Sequence, residues 1–272
     1  MRLPDAILDA CLCDARAPLA QDPARDFGLG KGEAQQAMAG LRPWLNERQR
    51  MLWANRREAL LLVLQGTDCS GKDGVIRKVV SAVDPQGVRL HSFHPPDEGE
   101  RRQHFLLRYR QRLPQPGLLG VFNRSHYEAL IGDPLDGLCG EDELPQRLQD
   151  LLAFEGEWPA LRLHPLKCYL QISREEQKLR LLSRLQRPEK RWKLKASDLQ
   201  AYREFDLRQQ RWSALLTASH TPEAPWYVIP SDLRWLRDWL VASLLARELE
   251  RLQLAWPDSP PPFDASDLDA AE

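Results

Sequence analysis

The apolar residues of this chain alternate between short continuous runs and stretches of helical spacing. Positions 60–64 are unbroken leucine and valine, which predicts a strand buried on both faces. Further strands are predicted at 88–93, 118–122, 166–172 and 226–229; the third lies between a turn at Pro116-Gly117 and Asn123. Helical spacing separates them. Ala34, Met38 and Leu41 begin a helix that Pro43 interrupts, and Leu45 and Leu52 continue it. A second helix is predicted over 75–83. Ser173-Arg-Glu-Glu176 is a capping box that opens a third, running to about 186 before Pro188. Another is predicted over 197–216, and a closing one over 232–254 places Leu236, Leu240 and Leu244 on one face. Strands separated by helices argue for βαβ units, an α/β fold and a mostly parallel sheet.

The first strand runs straight into Gly66-x-x-x-x-Gly71-Lys72, and the second helix follows. Strand, glycine loop, lysine and helix in that order describe a phosphate-binding loop. In such a loop Gly66, Thr67, Ser70, Gly71 and Gly74 bring backbone amides near phosphate oxygens, the helix start adds partial positive charge, and Lys72 adds a full one. Two aspartates are out of place in it. Asp68 puts a carboxylate among the phosphates, which is tolerable if Mg²⁺ sits between the anions, or if it takes a proton or orients an acceptor. Asp73 stands where a hydroxyl residue usually holds Mg²⁺, and the sequence assigns it no role.

Composition changes this picture in one respect. The chain has 272 residues with a formal net charge of −1, so no global field points to nucleic acid or a membrane. Locally the balance differs. Residues 174–195 hold nine Lys or Arg against three Glu, and residues 101–112 hold five Arg and no acid. Two basic segments inside a neutral total suit a polyanion held in a groove. The five scattered cysteines show no zinc spacing, and no leader or membrane-length apolar run is evident, so a reduced cytoplasmic protein is expected. His91 and His94 lack a third metal ligand, and Ser125 and His126 are adjacent on a strand end, where side chains diverge.

Three further stretches carry a family resemblance. Val121-Phe-Asn-Arg-Ser-His-Tyr-Glu128, Pro188-Glu-Lys-Arg-Trp-Lys193 with Asp198, and Ala224-Pro-Trp-Tyr-Val-Ile-Pro230 resemble, in order, a strand-end motif, a lid and a last strand of the polyphosphate kinase 2 family. The phosphate loop carries that family's aspartate at Asp68. The resemblance spans residues 28–256. Outside that span, residues 1–27 lack sustained periodicity and are read as an extended arm, and the acidic, Pro-rich 257–272 as a disordered tail. The resemblance implies a three-layer α-β-α P-loop kinase-like fold with a helical lid at about 174–221. It also implies a Mg²⁺-dependent enzyme that moves a phosphoryl group between inorganic polyphosphate and a nucleoside mono- or diphosphate, AMP as well as ADP, and that assembles as a dimer or tetramer.

On this reading Asp68, Lys72, Asn123 and Arg124 are catalytic, with Asp68 holding the metal. Arg77, Arg180, Arg184, Lys190 and Lys193 bind phosphate alongside the loop, Tyr127 and Glu128 bind nucleotide, and Trp192 stacks on a base or packs. The chain departs from the family pattern at Gln103-His104, Leu107, Ala129, Lys195, Phe205, Arg208 and Ser219-His220-Thr221, around the acceptor and lid surfaces. An ATP-dependent small-metabolite kinase and a weakly catalytic polyphosphate-binding paralogue are the alternatives.

Overall fold

The structure is a computed structural model that describes residues 1–263, 265 and 267. Five strands, β1 (Ala59–Gln65), β2 (Val88–Ser92), β3 (Leu119–Asn123), β4 (Leu163–Gln171) and β5 (Trp226–Pro230), form one sheet in the order β2-β3-β1-β4-β5. Every pairing is parallel, so the sheet expected to be mostly parallel is wholly so. The chain leaves β1 toward β2 and leaves β3 toward the opposite side. Their carboxyl ends therefore flank a crevice of the kind in which open α/β sheets bind ligands.

Twelve α-helices accompany the sheet among the described residues: α1 (Asp5–Asp9), α2 (Lys31–Asn55), α3 (Lys72–Lys78), α4 (Glu98–Arg101), α5 (Leu107–Arg110), α6 (Glu128–Leu135), α7 (Leu144–Gly156), α8 (Arg174–Gln186), α9 (Pro188–Arg191), α10 (Ala196–Arg203), α11 (Phe205–Ser219) and α12 (Arg234–Arg251). Alternation along β1 sorts them into two layers. Leu60, Leu62 and Leu64 pack with Leu45 and Leu52 of α2, Val75 of α3 and Leu240 and Leu244 of α12. Leu61 and Val63 face the other way, toward Leu151 and Phe154 of α7 and Trp212 and Leu216 of α11. That strand is buried on both faces, which is why it reads as a continuous apolar run.

Several boundaries differ from the sequence reading. The helix expected over 75–83 starts at Lys72, ends at Lys78 and is followed by a 3-10 turn over Val80–Ala82. α2 continues through Pro43, because buried Leu41 and Leu45 anchor it on both sides of the proline. β4 begins three residues early and includes Pro165; β5 pairs with β4 only from Lys167 onward, so the missing N–H of Pro165 lies where only β1 is a partner. The long helix expected over 197–216 is broken between Arg203 and Phe205. The Ser173 cap forms, its hydroxyl accepting from the Glu176 amide at 3.1 Å. The Ser173 amide, however, donates to Asp232 rather than back to Glu176.

The first 27 residues are less extended than expected. Leu3, Leu8 and Cys11 are buried in the α2–α12 layer. Leu12 bridges Tyr227 antiparallel, with the Cys13 amide on Trp226 O and the Val228 amide on Cys11 O. The segment thereby covers the exposed edge of β5. Leu8→Ala is expected to cost about 2–5 kcal/mol in urea unfolding; a change under about 0.5 kcal/mol, the size of a surface effect, would mean the segment only drapes the surface. Of the 257–272 tail, for which disorder is expected, 257–263 are exposed chain without regular structure, and residues 264, 266 and 268–272 lie outside those described. No described helix is long and apolar enough to cross a membrane.

Candidate active site

The loop between β1 and α3 bends through positive φ at Gly66 (142°), Cys69 (68°) and Gly71 (108°). Lys72, at the start of α3, is buried and donates to Gly66 O at 2.6 Å and Thr67 O at 3.2 Å. Burial, and then Arg124, pull its ammonium below the ordinary lysine value. The side-chain oxygens of Thr67 and Ser70 are buried without a hydrogen-bond partner. Two orphaned hydroxyls and a desolvated lysine in one loop leave polar capacity that an oxyanion would satisfy.

Arg124 leaves the end of β3 with φ +63°, outside the usual range for a side-chain-bearing residue. Its Nη2 donates to Asp68 Oδ1 at 2.6 Å, and its Nη1 lies 3.6 Å from Glu128 Oε2. Asp68 and Arg124, 56 residues apart, thus meet across the crevice between β1 and β3. Burial would raise the Asp68 carboxyl, but Arg124, Lys72, Arg208 and Arg184 together hold it below the ordinary carboxylate range. Asp68 is therefore ionised at neutral pH. Its stabilising contribution is present above the unfolded value of about 3.9 and is lost as pH falls through the lower folded value.

Asp73 gains partners that the loop pattern did not predict. Lys193, from the basic insertion, donates to Asp73 Oδ2 at 2.6 Å, and Asn123 Nδ2 donates to Asp73 Oδ1 at 3.3 Å. Asp73 therefore joins the loop helix to the end of β3 and to the insertion. Arg184 lies 3.7 Å from Asp198. Arg77 is exposed and Lys190 half-buried, and no carboxylate pairs with either among the described residues. Trp192 is 76% exposed, with its indole N–H on Glu189 O, so the packing alternative does not hold. Glu128 is the nucleotide candidate left at the crevice: with the Gln65 amide oriented to satisfy both its ends, Gln65 donates to Glu128 Oε1 at 2.9 Å and accepts from the Ser125 amide.

Two residues expected in the site face elsewhere. Tyr127 is fully buried; its hydroxyl donates to Glu155 and accepts from Lys167 at 2.8 Å, so it has no surface for a nucleotide. Arg180 is buried behind the loop, its guanidinium spent on backbone carbonyls, so it does not reach a phosphate chain directly. Arg208 was read only as a departure from the family pattern, yet it is close enough to depress the Asp68 carboxyl. Arg237 and Gln177, which no motif marks, touch the loop backbone. The separation of each from the loop in sequence hides it.

The sequence profile of polyphosphate kinase 2 matches residues 28–255. The chain belongs to the polyphosphate kinase 2 family. It is 39% identical over 236 residues to the AMP/ADP-polyphosphate phosphotransferase of Meiothermus ruber, covering 87% of this chain and 88% of that one. It is 32% identical over 229 residues to the ADP-polyphosphate phosphotransferase of Rhodopseudomonas palustris, covering 80% and 79%. The crystal structure of polyphosphate kinase 2 from Arthrobacter aurescens superposes with a TM-score of 0.90 at 32% identity, covering 97% of this chain and 95% of that one. The three-layer fold is thus the P-loop kinase fold of the family.

Proposed function

We propose that this chain transfers a phosphoryl group between inorganic polyphosphate and a nucleoside mono- or diphosphate, with AMP and ADP as the first acceptors to test. The family assignment supports the reaction class. The observation that carries the reading to this site is the 2.6 Å contact between Asp68 and Arg124 beside the phosphate loop. A carboxylate and a guanidinium held together there supply opposite demands of phosphoryl transfer, one toward a cation or the acceptor and one toward the charged group in flight.

Lys72, the loop amides and the Thr67 and Ser70 hydroxyls would bind the donor's terminal phosphates. Arg124 would neutralise charge on the transferring phosphoryl as the bond to the bridging oxygen breaks and the acceptor phosphate oxygen attacks. Asn123 and Glu128 border that position, and Lys193 and Arg184 would meet the rest of the chain once parted from Asp73 and Asp198. Asp68, held ionised, is unsuited to act as an acid and suited to hold a cation. No group of three or more His, Cys, Asp or Glu side chains that could hold a metal occurs among the described residues. Mg²⁺ characteristically takes one or two carboxylates and completes its shell with water and substrate phosphates, so Asp68 fits it as a carboxylate ligand, Asp73 being engaged by Lys193 and Asn123. When bound, Mg²⁺ would neutralise phosphate charge.

The test is a matrix of polyphosphate and ATP as donors against AMP, ADP, GMP and GDP with Mg²⁺. Polyphosphate-dependent formation of the higher nucleotide is expected with an adenine acceptor. No higher nucleotide from polyphosphate with any of the four acceptors would overturn the reading, and transfer from ATP alone would point to an ATP-dependent kinase instead.

A further inference from the structure

The carbonyls of residues 66–70 in the phosphate loop are all engaged by side chains. Gly66 O and Thr67 O accept from Lys72, Asp68 O from Gln177 Nε2 at 3.0 Å, and Cys69 O from Arg180 Nη1 at 2.9 Å. Ser70 O accepts from Arg180 Nη1 at 3.0 Å and from Arg237 Nη1 at 3.4 Å. Five consecutive carbonyls thus accept from four side chains. A trans peptide plane points its N–H opposite its C=O. Fixing the carbonyls of 66–70 therefore fixes the direction of the following amides, and those of Thr67, Asp68, Cys69 and Gly71 have no acceptor among the described residues.

The donors are themselves held. Arg180 is 6% exposed; its Nη2 also donates to Ser231 O and Asp232 O, and its Nε to Glu176 Oε1 at 2.6 Å. Arg237 is 3% exposed and pairs with Asp238. It lies so close to the loop that a Cβ at Gly71 would stand 1.9 Å from its Nη1, and one at Gly74 2.6 Å from its Nη2. The glycines here admit a guanidinium behind the loop as well as phosphate in front of it.

We propose that Gln177, Arg180 and Arg237 are positioning residues that aim the loop amides at the donor phosphates, so that the root of the basic insertion sets the geometry of the phosphate site. Gln177 and Arg180 lie on α8, the first helix of that insertion, and Arg237 on α12. This rests on the functional reading above. It assigns separate consequences to two contacts. Arg180 fixes the peptide planes after Cys69 and Ser70; the Gly71 amide, with no acceptor among the described residues, would touch phosphate, while the Ser70 amide donates to Thr67 O at 3.1 Å. Gln177 holds the carbonyl of Asp68, the residue that acts on the reaction.

Arg180→Lys keeps the charge but cannot span four carbonyls with one ammonium. It is expected to weaken binding of tripolyphosphate, measured by calorimetry, on the order of tenfold or more, and to raise KM for polyphosphate alike. KM for the nucleotide should not change. Gln177→Met is expected to lower kcat on the order of tenfold with KM for polyphosphate unchanged. Should Arg180→Lys fail to fold, as judged by circular dichroism, the kcat of Gln177→Met decides alone. Folded variants with wild-type kcat, KM and tripolyphosphate affinity, altered only in Tm, would overturn the proposal and leave these residues structural. A wild-type protein that binds no tripolyphosphate would instead bring down the functional reading, and the proposal with it.

Discussion

Arg124→Ala is expected to lower kcat by about 10³-fold or more, the scale on which an arginine that neutralises a transferring phosphoryl group acts. The effect should fall on kcat rather than on KM for polyphosphate, because Lys72 and the loop amides remain to bind the donor. The backbone supports this separation. Arg124 holds φ +63° at the end of β3, and the chain on either side is fixed: its own amide donates to Leu64 O at 3.0 Å, and Ser125 and His126 are buried. Alanine at that position should therefore fold with the loop in place. Arg124→Lys should recover little, since a single ammonium cannot contact Asp68 and Glu128 and still meet phosphate in the same geometry. Steady-state kinetics with both substrates varied would check this, and a KM effect with kcat intact would place Arg124 in donor binding instead.

Lys167→Met is expected to destabilise the fold by about 3–5 kcal/mol, through a buried ion pair beneath the strand-end motif. Lys167 Nζ lies 2.9 Å from Glu155 Oε2 and also donates to Tyr127 Oη and Ser219 O, while His126 Nε2 lies 2.9 Å from Glu155 Oε1. Both charged side chains are almost fully buried. Burial works against the Glu155 charge, but Lys167, His126 and Tyr127 outweigh it and hold the carboxyl below its ordinary value. In the wild type that stability is present above about pH 4.3, the unfolded value, and is lost as pH falls through the lower folded one. Lys167→Met reverses the sign. Left alone in an apolar layer, Glu155 would titrate above its unfolded value, so the variant should regain stability as acid protonates it. Urea unfolding of Lys167→Met at pH 7 and pH 5, beside Lys167→Met/Glu155→Gln, measures both points. A single variant as stable as the wild type at pH 7 would contradict the account.

What could be read from the sequence divides along physical lines. β1 was legible because it is buried on both faces and apolar from Ala59 to Leu64, and the loop was legible because its chemistry is contained in nine consecutive residues. Pro43 and Pro165 misled at the edges, since tertiary packing and an open ladder position absorbed what proline ordinarily breaks. The strand-end motif located Arg124 at the carboxyl edge of the sheet, but a motif locates a neighbourhood and not the direction of a side chain. Tyr127, three residues from Arg124, turns into the core toward Glu155; Arg180, one helical turn from Arg184, turns behind the loop. Arg237 and Gln177 reach the loop from 167 and 109 residues away, respectively. No local pattern could report such contacts.

Asp73 was the oddity left without a role by the loop pattern. In the structure it joins Lys193 to Asn123, whereas Asp68 faces Arg124 across the crevice. The two aspartates therefore divide the contacts: one ties the basic insertion to the loop, and the other meets Arg124, where the proposed function places the transfer.

That division makes Asp68 the residue on which the account turns. The most direct measurement is phosphorus NMR of polyphosphate and ADP with Mg²⁺ in the presence of the wild type and of Asp68→Asn, with tripolyphosphate binding measured on both. The account predicts that the wild type shortens polyphosphate by one phosphate for each ATP formed, and that Asp68→Asn still binds tripolyphosphate but forms ATP at least about 10²-fold more slowly. Wild-type ATP formation by Asp68→Asn would contradict it.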